Sequence, residues 1–230
     1  MLKENYDEIR SKIDEACKKS GRDPKEVTLI AVSKTKPNEM IKELYDAGVR
    51  DFGENKVQEL AKKMEELPDD IKWHQIGHLQ RNKVKYILGK TELIHSVDSY
   101  RLAEEINIQA KRKGISVDIL IELNIGEEDS KFGLDKDDAI SFVKQVSELD
   151  GLKVKGLMTV APFVEDPEAN REIFKSMKEL SNEIAALNIK NVSMDVLSMG
   201  MTNDYIVAVE EGATLVRVGT AIFGARNYNV

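Results

Sequence analysis

The chain has 230 residues, 41% hydrophobic and 33% charged, with a net charge of -7, a balance that suits a soluble fold with a substantial core. A sequence pI of about 5.2 and the lack of a basic face argue against nucleic acid as a partner, and no apolar run is long enough for a signal core or a membrane span. The single cysteine, Cys17, excludes an internal disulfide, so the chain reads as a cytoplasmic protein.

The first predicted element is an amphipathic helix over residues 3–20. Tyr6, Ile9, Ile13 and Ala16-Cys17 recur there at helical spacing among charges, and Gly21 and Pro24 stop it. The apolar run 27–34 then reads as a buried parallel strand ending in Lys34. Pro37 opens a helix carrying Met40, Ile41, Leu44 and Tyr45. A strand over 49–53 leads into a helix around Val57, Leu60, Ala61 and Met64. A third, 72–77, leads into a helix with Val84 and Ile87, and a fourth, 93–97, into the helical stretch 99–113. In the second half, strands over 117–124, 154–160, 192–197 and 214–218 alternate with helices over 135–148, 167–187 and 202–211.

Eight strands, each followed by a helical segment, predict an α/β fold: a single-domain (β/α)8 TIM barrel with an additional N-terminal helix. Residues 1–26 form the N-terminal helical extension, 27–224 the barrel and 225–230 a tail. The alternative is an open doubly wound sheet, which can also carry eight strands.

In such a barrel the site lies at the C-terminal strand ends. Those ends carry Lys34, Glu54-Asn55, His78, Ser96, Asn124, Met158-Thr159, Ser198, and Arg217 with Gly219-Thr220. With Glu54 the only carboxylate among them, the set favours an anionic ligand and offers no metal site. A lysine where a buried strand opens into a loop is a candidate Schiff-base former. The glycine-containing segments after strands 7 and 8 stand where this barrel commonly holds phosphate. A strand-end amine facing such a cradle points to pyridoxal 5′-phosphate.

Each residue also has a plainer reading. Lys34 alone reads as a surface lysine, and Lys36 is a rival amine that abuts Pro37. Arg217 has Glu122 or Glu54 as alternative partners, and Ser198 and Thr220 suit turns or caps. His74 and His95 read as core residues, Trp73 as packing and Cys17 as a small buried hydrophobe. His78 divides between cap, ring neighbour and acid/base. The run Lys62-Lys63 with Glu65-Glu66 reads as a solvated helix face.

Six segments occur together: Ala31-Val32-Ser33-Lys34-Thr35, Phe52-Gly53-Glu54-Asn55, His74 to Gln80, Gly156-Leu157-Met158, Leu197 to Met201 and Val216 to Gly224. In this order the chain resembles the pyridoxal phosphate homeostasis protein family over essentially its whole length. That family's fold is similar to the N-terminal barrel of alanine racemase. The resemblance implies that Lys34 carries pyridoxal phosphate as an internal aldimine. It implies phosphate binding by Ser198, Gly219 and Thr220 with backbone help near Met199, Arg217 near the pyridine nitrogen, and Asn55 beside the ring. It further implies a role in vitamin B6 supply and amino-acid balance with no well-established turnover, and the leading reading is a carrier that passes the cofactor to apo-enzymes.

Two chemical arguments favour a binder. Arginine offers only donors, so a ring nitrogen facing Arg217 stays unprotonated and is a poorer electron sink. Two-base racemisation also needs an acid/base opposite the lysine. Tyr6, Tyr45, Tyr86, Tyr100, Tyr205 and Tyr228 all fall on predicted helices or the tail, which leaves His78 as the only obvious substitute. The competing readings are a pyridoxal phosphate-dependent racemase or related enzyme, and a cofactor-free barrel whose Lys34 bonds its substrate, as aldolases do. The mixed surface favours a monomer over a dimer.

Overall fold

The computed structural model describes residues 1–126 and 132–224. Eight parallel strands close in sequence order: β1 (Thr28–Val32), β2 (Asp51–Glu54), β3 (Lys72–Gln75), β4 (Thr91–Val97), β5 (Val117–Leu123), β6 (Leu152–Thr159), β7 (Val192–Met201) and β8 (Leu215–Val218). Thr28 to Ala31 of β1 pair with Leu215 to Val218 of β8, which closes the barrel and removes the open-sheet alternative.

The strands read as continuous apolar runs because both faces are buried. Leu29, Ala31, Phe52, Ile119, Ile121 and Val216 face the surrounding helices in the main core. Ile30, Val32, Leu93, Leu120, Met158 and Leu215 point inward and form a second cluster inside the barrel.

The helices are α1 (Leu2–Lys19), α2 (Asn38–Asp46), α3 (Val57–Glu66), α4 (Tyr100–Lys113), α5 (Ala139–Ser147), α6 (Arg171–Ala186), α7 (Tyr205–Glu210) and α8 (Thr220–Phe223). The segment after β3, expected as a helix, is the 3-10 run Arg81–Tyr86. Because α8 has only four residues, the ring of helices is thin beside β8. The N-terminal helix fills that place, packing against α7 and α8 with Ile9, Ile13, Ala16 and Cys17 buried. Asn5 Nδ2 donates to Ile222 O at 2.9 Å and Arg10 Nη1 to Val27 O at 2.6 Å. Fully burying Ile9 and Ile13 contributes roughly 1.5–3 kcal/mol each. Burial also pushes the Cys17 thiol up, which suits a core residue and not a nucleophile.

Among the strand ends that differ from expectation, two matter most to the site. β1 stops at Val32, so Lys34 stands in a turn in which Thr35 has a positive φ of 64°. β7 continues four residues past its expected end at Leu197. Ser198 pairs with Leu215 and Met201 with Arg217. Gly200 permits this, since a Cβ there would lie 2.5 Å from Ala208 Cβ on α7. Residues 225–230, read as a tail that includes Tyr228, lie outside the described residues.

Candidate functional site

The turn bearing Lys34 is held from below by a buried ionic network. Lys63 Nζ donates to Ser33 O at 2.9 Å and to Glu54 Oε1 and Glu59 Oε1 at 2.7 Å each. Ser33 Oγ donates to Glu54 Oε1 at 2.6 Å, and Thr35 N to Glu59 Oε1 at 2.7 Å. The solvated face expected for Lys62-Lys63 is therefore half wrong. Lys62 is exposed, but Lys63 falls on the barrel side of α3 and is 5% exposed. Burial pushes the Glu54 carboxyl up, and the adjacent Lys63 ammonium opposes that rise. The rival amine, Lys36, donates to the carbonyls of Phe223 and Gly224 at the end of α8, a normal use of lysine at a helix C-terminus.

Lys34 lines a cavity of about 590 Å³ at the C-terminal strand ends, together with Asn55, Arg217, Gly219 and Thr220. Val32, Ile76, Val160 and Phe163 supply its apolar walls, and Met201 and Thr202 its far side. That size and mixture fit a small-molecule site. A hollow of about 490 Å³ around Trp73 and Thr91 lies at the opposite strand ends, the end a barrel devotes to stability.

Each wall is braced. Gln75 Nε2 donates to the carbonyls of Asn55 and Gly77 at 3.0 and 2.9 Å. Gly77 has no room for a side chain, since a Cβ would lie 2.6 Å from Asn55 O. The Asn55 Oδ1 atom is buried and meets no partner among the described residues. Asp204 accepts from Met201 N at 2.7 Å and from Asn170 Nδ2 at 2.8 Å, and Asn170 also donates to Pro162 O. The loops after β6 and β7 are thereby tied together. Gly219 N donates to Thr202 Oγ1 at 3.4 Å, and a Cβ on Gly219 would crowd Val32 O at 3.2 Å.

Arg217 reaches the cavity from β8 and is only 4% exposed. Its guanidinium makes neither of the carboxylate hydrogen bonds weighed from the sequence. Nη1 donates to Ser198 Oγ at 2.6 Å and Nη2 to Thr159 O at 2.8 Å. Burial pulls the guanidinium below its usual range, while Glu122 and Asp204 act through space to raise it. Glu122 is pushed up to about 7, chiefly by burial and then by Asp98, with Arg217 opposing. Burial likewise holds His95 well below the usual imidazole value, helped by His74 and Arg217.

The cavity brings together Lys34, Asn55, Arg217, Gly219 and Thr220 from the sequence reading, but not Ser198 and Met199. Both are fully buried. Ser198 sits inside the barrel against Arg217, and Met199 packs into the outer core. The longer β7 carries the chain four residues further, so Met201 and Thr202 occupy the mouth. Nothing local marks this shift, because Ser-Met-Gly-Met reads as a loop until β8 is placed beside it. His78 lies 3.3 Å from Asp98 and stacks on Phe132 at 3.9 Å. It lines an adjacent hollow with Arg81 and Arg101, outside the cavity of Lys34. No described tyrosine lines that cavity. Among the described residues there is no cluster of three metal-ligating side chains, and no helix is long and apolar enough to cross a membrane.

Comparison with known proteins agrees with this fold. The family model described as alanine racemase, N-terminal domain, matches residues 4–227. The pyridoxal phosphate homeostasis protein of Aquifex aeolicus is 45% identical over 226 residues, 98% of each chain. PipY of Synechococcus elongatus, solved with pyridoxal phosphate bound, superposes with a TM-score of 0.85 at 35% identity, covering 97% of this chain and all of that one. Alanine racemase of Clostridium difficile superposes with a TM-score of 0.76 at 14% identity, over 99% of this chain and 57% of that one, a likeness of fold.

Proposed function

The chain belongs to the alanine racemase N-terminal domain family and, within it, to the pyridoxal phosphate homeostasis proteins, and on that premise we propose that it binds pyridoxal 5′-phosphate at the barrel mouth and buffers and supplies it in the cytoplasm. The observation that carries this reading is a single cavity gathering an amine, a donor-only guanidinium and a glycine–threonine cradle. The residues match the three polar parts of the cofactor. Lys34 offers an amine to its aldehyde, Arg217 a donor to its ring nitrogen, and Thr202, Gly219 and Thr220 offer hydroxyl and amide donors to its phosphate. Asn55, whose Oδ1 meets no partner among the described residues, lines the same cavity and would flank the ring. When bound, the cofactor supplies an aldehyde that we propose is held as a covalent Schiff base on Lys34.

The same residues restrain chemistry. Arg217 donates and accepts nothing, so the ring nitrogen stays an acceptor and the ring a weak electron sink. Among the described residues no tyrosine lines the wall, and His78 faces another hollow. A site that anchors and orients without a second acid/base suits a carrier, with apo-enzymes that require the cofactor as recipients and the chain acting as a monomer.

The test is a visible spectrum with pyridoxal phosphate before and after borohydride, on wild type and Lys34→Ala. A band that borohydride removes, with an adduct mapped to Lys34 and absent in the variant, is expected. No band at saturating cofactor overturns the assignment. Rapid loss of α-deuterium from labelled amino acids would favour an enzyme over a carrier.

A further inference from the structure

Five side chains from five strands form one hydrogen-bonded line across the inside of the barrel. Asp51 on β2 lies 3.2 Å from His74 Nε2. His74 Nδ1 lies 3.0 Å from His95 Nε2, and His95 Nδ1 lies 2.8 Å from Ser198 Oγ. Ser198 Oγ accepts from Arg217 Nη1 at 2.6 Å. His74, His95, Ser198 and Arg217 are all at most 4% exposed, whereas the Asp51 side chain is 25% exposed at the floor of the barrel.

With both rings neutral, one arrangement of protons satisfies every group between the two ends. Arginine only donates, so the Ser198 oxygen accepts from Arg217 and its hydroxyl hydrogen turns to His95 Nδ1. His95 Nδ1 is then bare, and its proton is on Nε2, aimed at His74 Nδ1. His74 in turn carries its proton on Nε2 and donates to the Asp51 carboxylate, which only accepts. Each buried donor in the line has one acceptor and each acceptor one donor, as buried polar groups require.

We propose that Asp51, His74, His95 and Ser198 are positioning residues for Arg217, a through-barrel line that locks the orientation of its guanidinium in the cofactor cavity. Ser198 and the Thr159 carbonyl hold one N–H on each terminal nitrogen, which leaves the other donors of the fork at a fixed angle toward the cavity. Ser198 thus belongs to the site without lining it. That the locked donors face a pyridine nitrogen rests on the function proposed above; the lock itself does not.

The test has a ligand-free arm and a loaded arm. Long-range 1H–15N correlation of the unliganded chain at pH 7 reads the histidine tautomers and the exchange of the Arg217 N–H protons. Both imidazoles are expected neutral with the proton on Nε2, and Arg217 is expected to show slowly exchanging N–H signals. In the loaded arm, Ser198→Ala should move the visible band of bound pyridoxal phosphate and weaken its binding roughly tenfold, as loss of one charge-assisted hydrogen bond implies, while Ser198→Thr restores both. An Nδ1–H or charged imidazole in the line, or a wild-type band and affinity in Ser198→Ala, overturns the proposal. If Ser198→Ala does not fold, the ligand-free arm on wild type decides. If wild type shows no cofactor band, the proposed function fails, and the same tautomers and exchange rates still decide the lock.

Discussion

Glu122 provides the sharpest quantitative test of the barrel interior. It is 7% exposed, its Oε2 meets no partner among the described residues, and its carboxyl is pushed from 4.5 up to about 7 by burial. An acid whose pKa is raised by folding holds its proton more tightly in the native state. The stability this contributes is fully present below the unfolded value of 4.5 and is lost as pH rises through about 7. At about 1.36 kcal/mol per pKa unit, the rise from 4.5 to about 7 corresponds to about 3 kcal/mol. Glu122→Gln keeps the volume but cannot ionise. It should match wild type at pH 5 and be more stable by up to about 3 kcal/mol at pH 8. For a chain of this size that is a gain of about 6–12 °C in Tm. Thermal unfolding of both proteins at pH 5 and pH 8, at matched ionic strength, measures the difference of differences. Equal pH dependence in the two proteins would refute the reasoning, because it would mean that Glu122 is already ionised beside Arg217.

Other perturbations act on the supports of the site. Lys63→Met leaves Glu54 buried without its cation and should cost about 3–5 kcal/mol, seen as a lower denaturation midpoint; adding Glu54→Gln should recover part of the loss, and additivity of the two changes would dismiss the pair as a coupled unit. Gly156→Ala places a Cβ 1.8 Å from Val196 O at the register shift between β6 and β7, so it should destabilise by about 3 kcal/mol or more, and a wild-type melting curve would contradict the packing there. Gly77→Ala pushes on Asn55 O at 2.6 Å; titration should show weaker pyridoxal phosphate binding, by about tenfold for a loss near 1.4 kcal/mol, and unchanged affinity would remove Asn55 from the cofactor site.

How far the sequence could be read follows from where the determining contacts lie. The strand–helix alternation is visible because each strand is buried on both faces and each helix on one, and those periodicities belong to short windows. Lys34 was legible for a similar reason: an amine at the end of an apolar run, just before Pro37, is a local pattern. Lys63 was not. Its charge says surface, and only the packing of α3 against β2 and β3 places it against Glu54 and the Ser33 carbonyl. The depth of Ser198 was not legible either, since a serine before Met-Gly-Met looks like a loop residue until the β7–β8 pairing places it within the strand.

By itself, then, the sequence determined the order of the elements, the apolar core positions and the resemblance that pointed to the cofactor, because these depend on residue type and near-neighbour spacing. Closure of β1 on β8, the true end of β7, the replacement of Ser198 by Thr202 at the cavity wall, and the line from Asp51 to Arg217 were decided only in three dimensions. They depend on hydrogen bonds between residues as far apart in the chain as Thr28 and Thr214, and no local window contains both partners of such a bond.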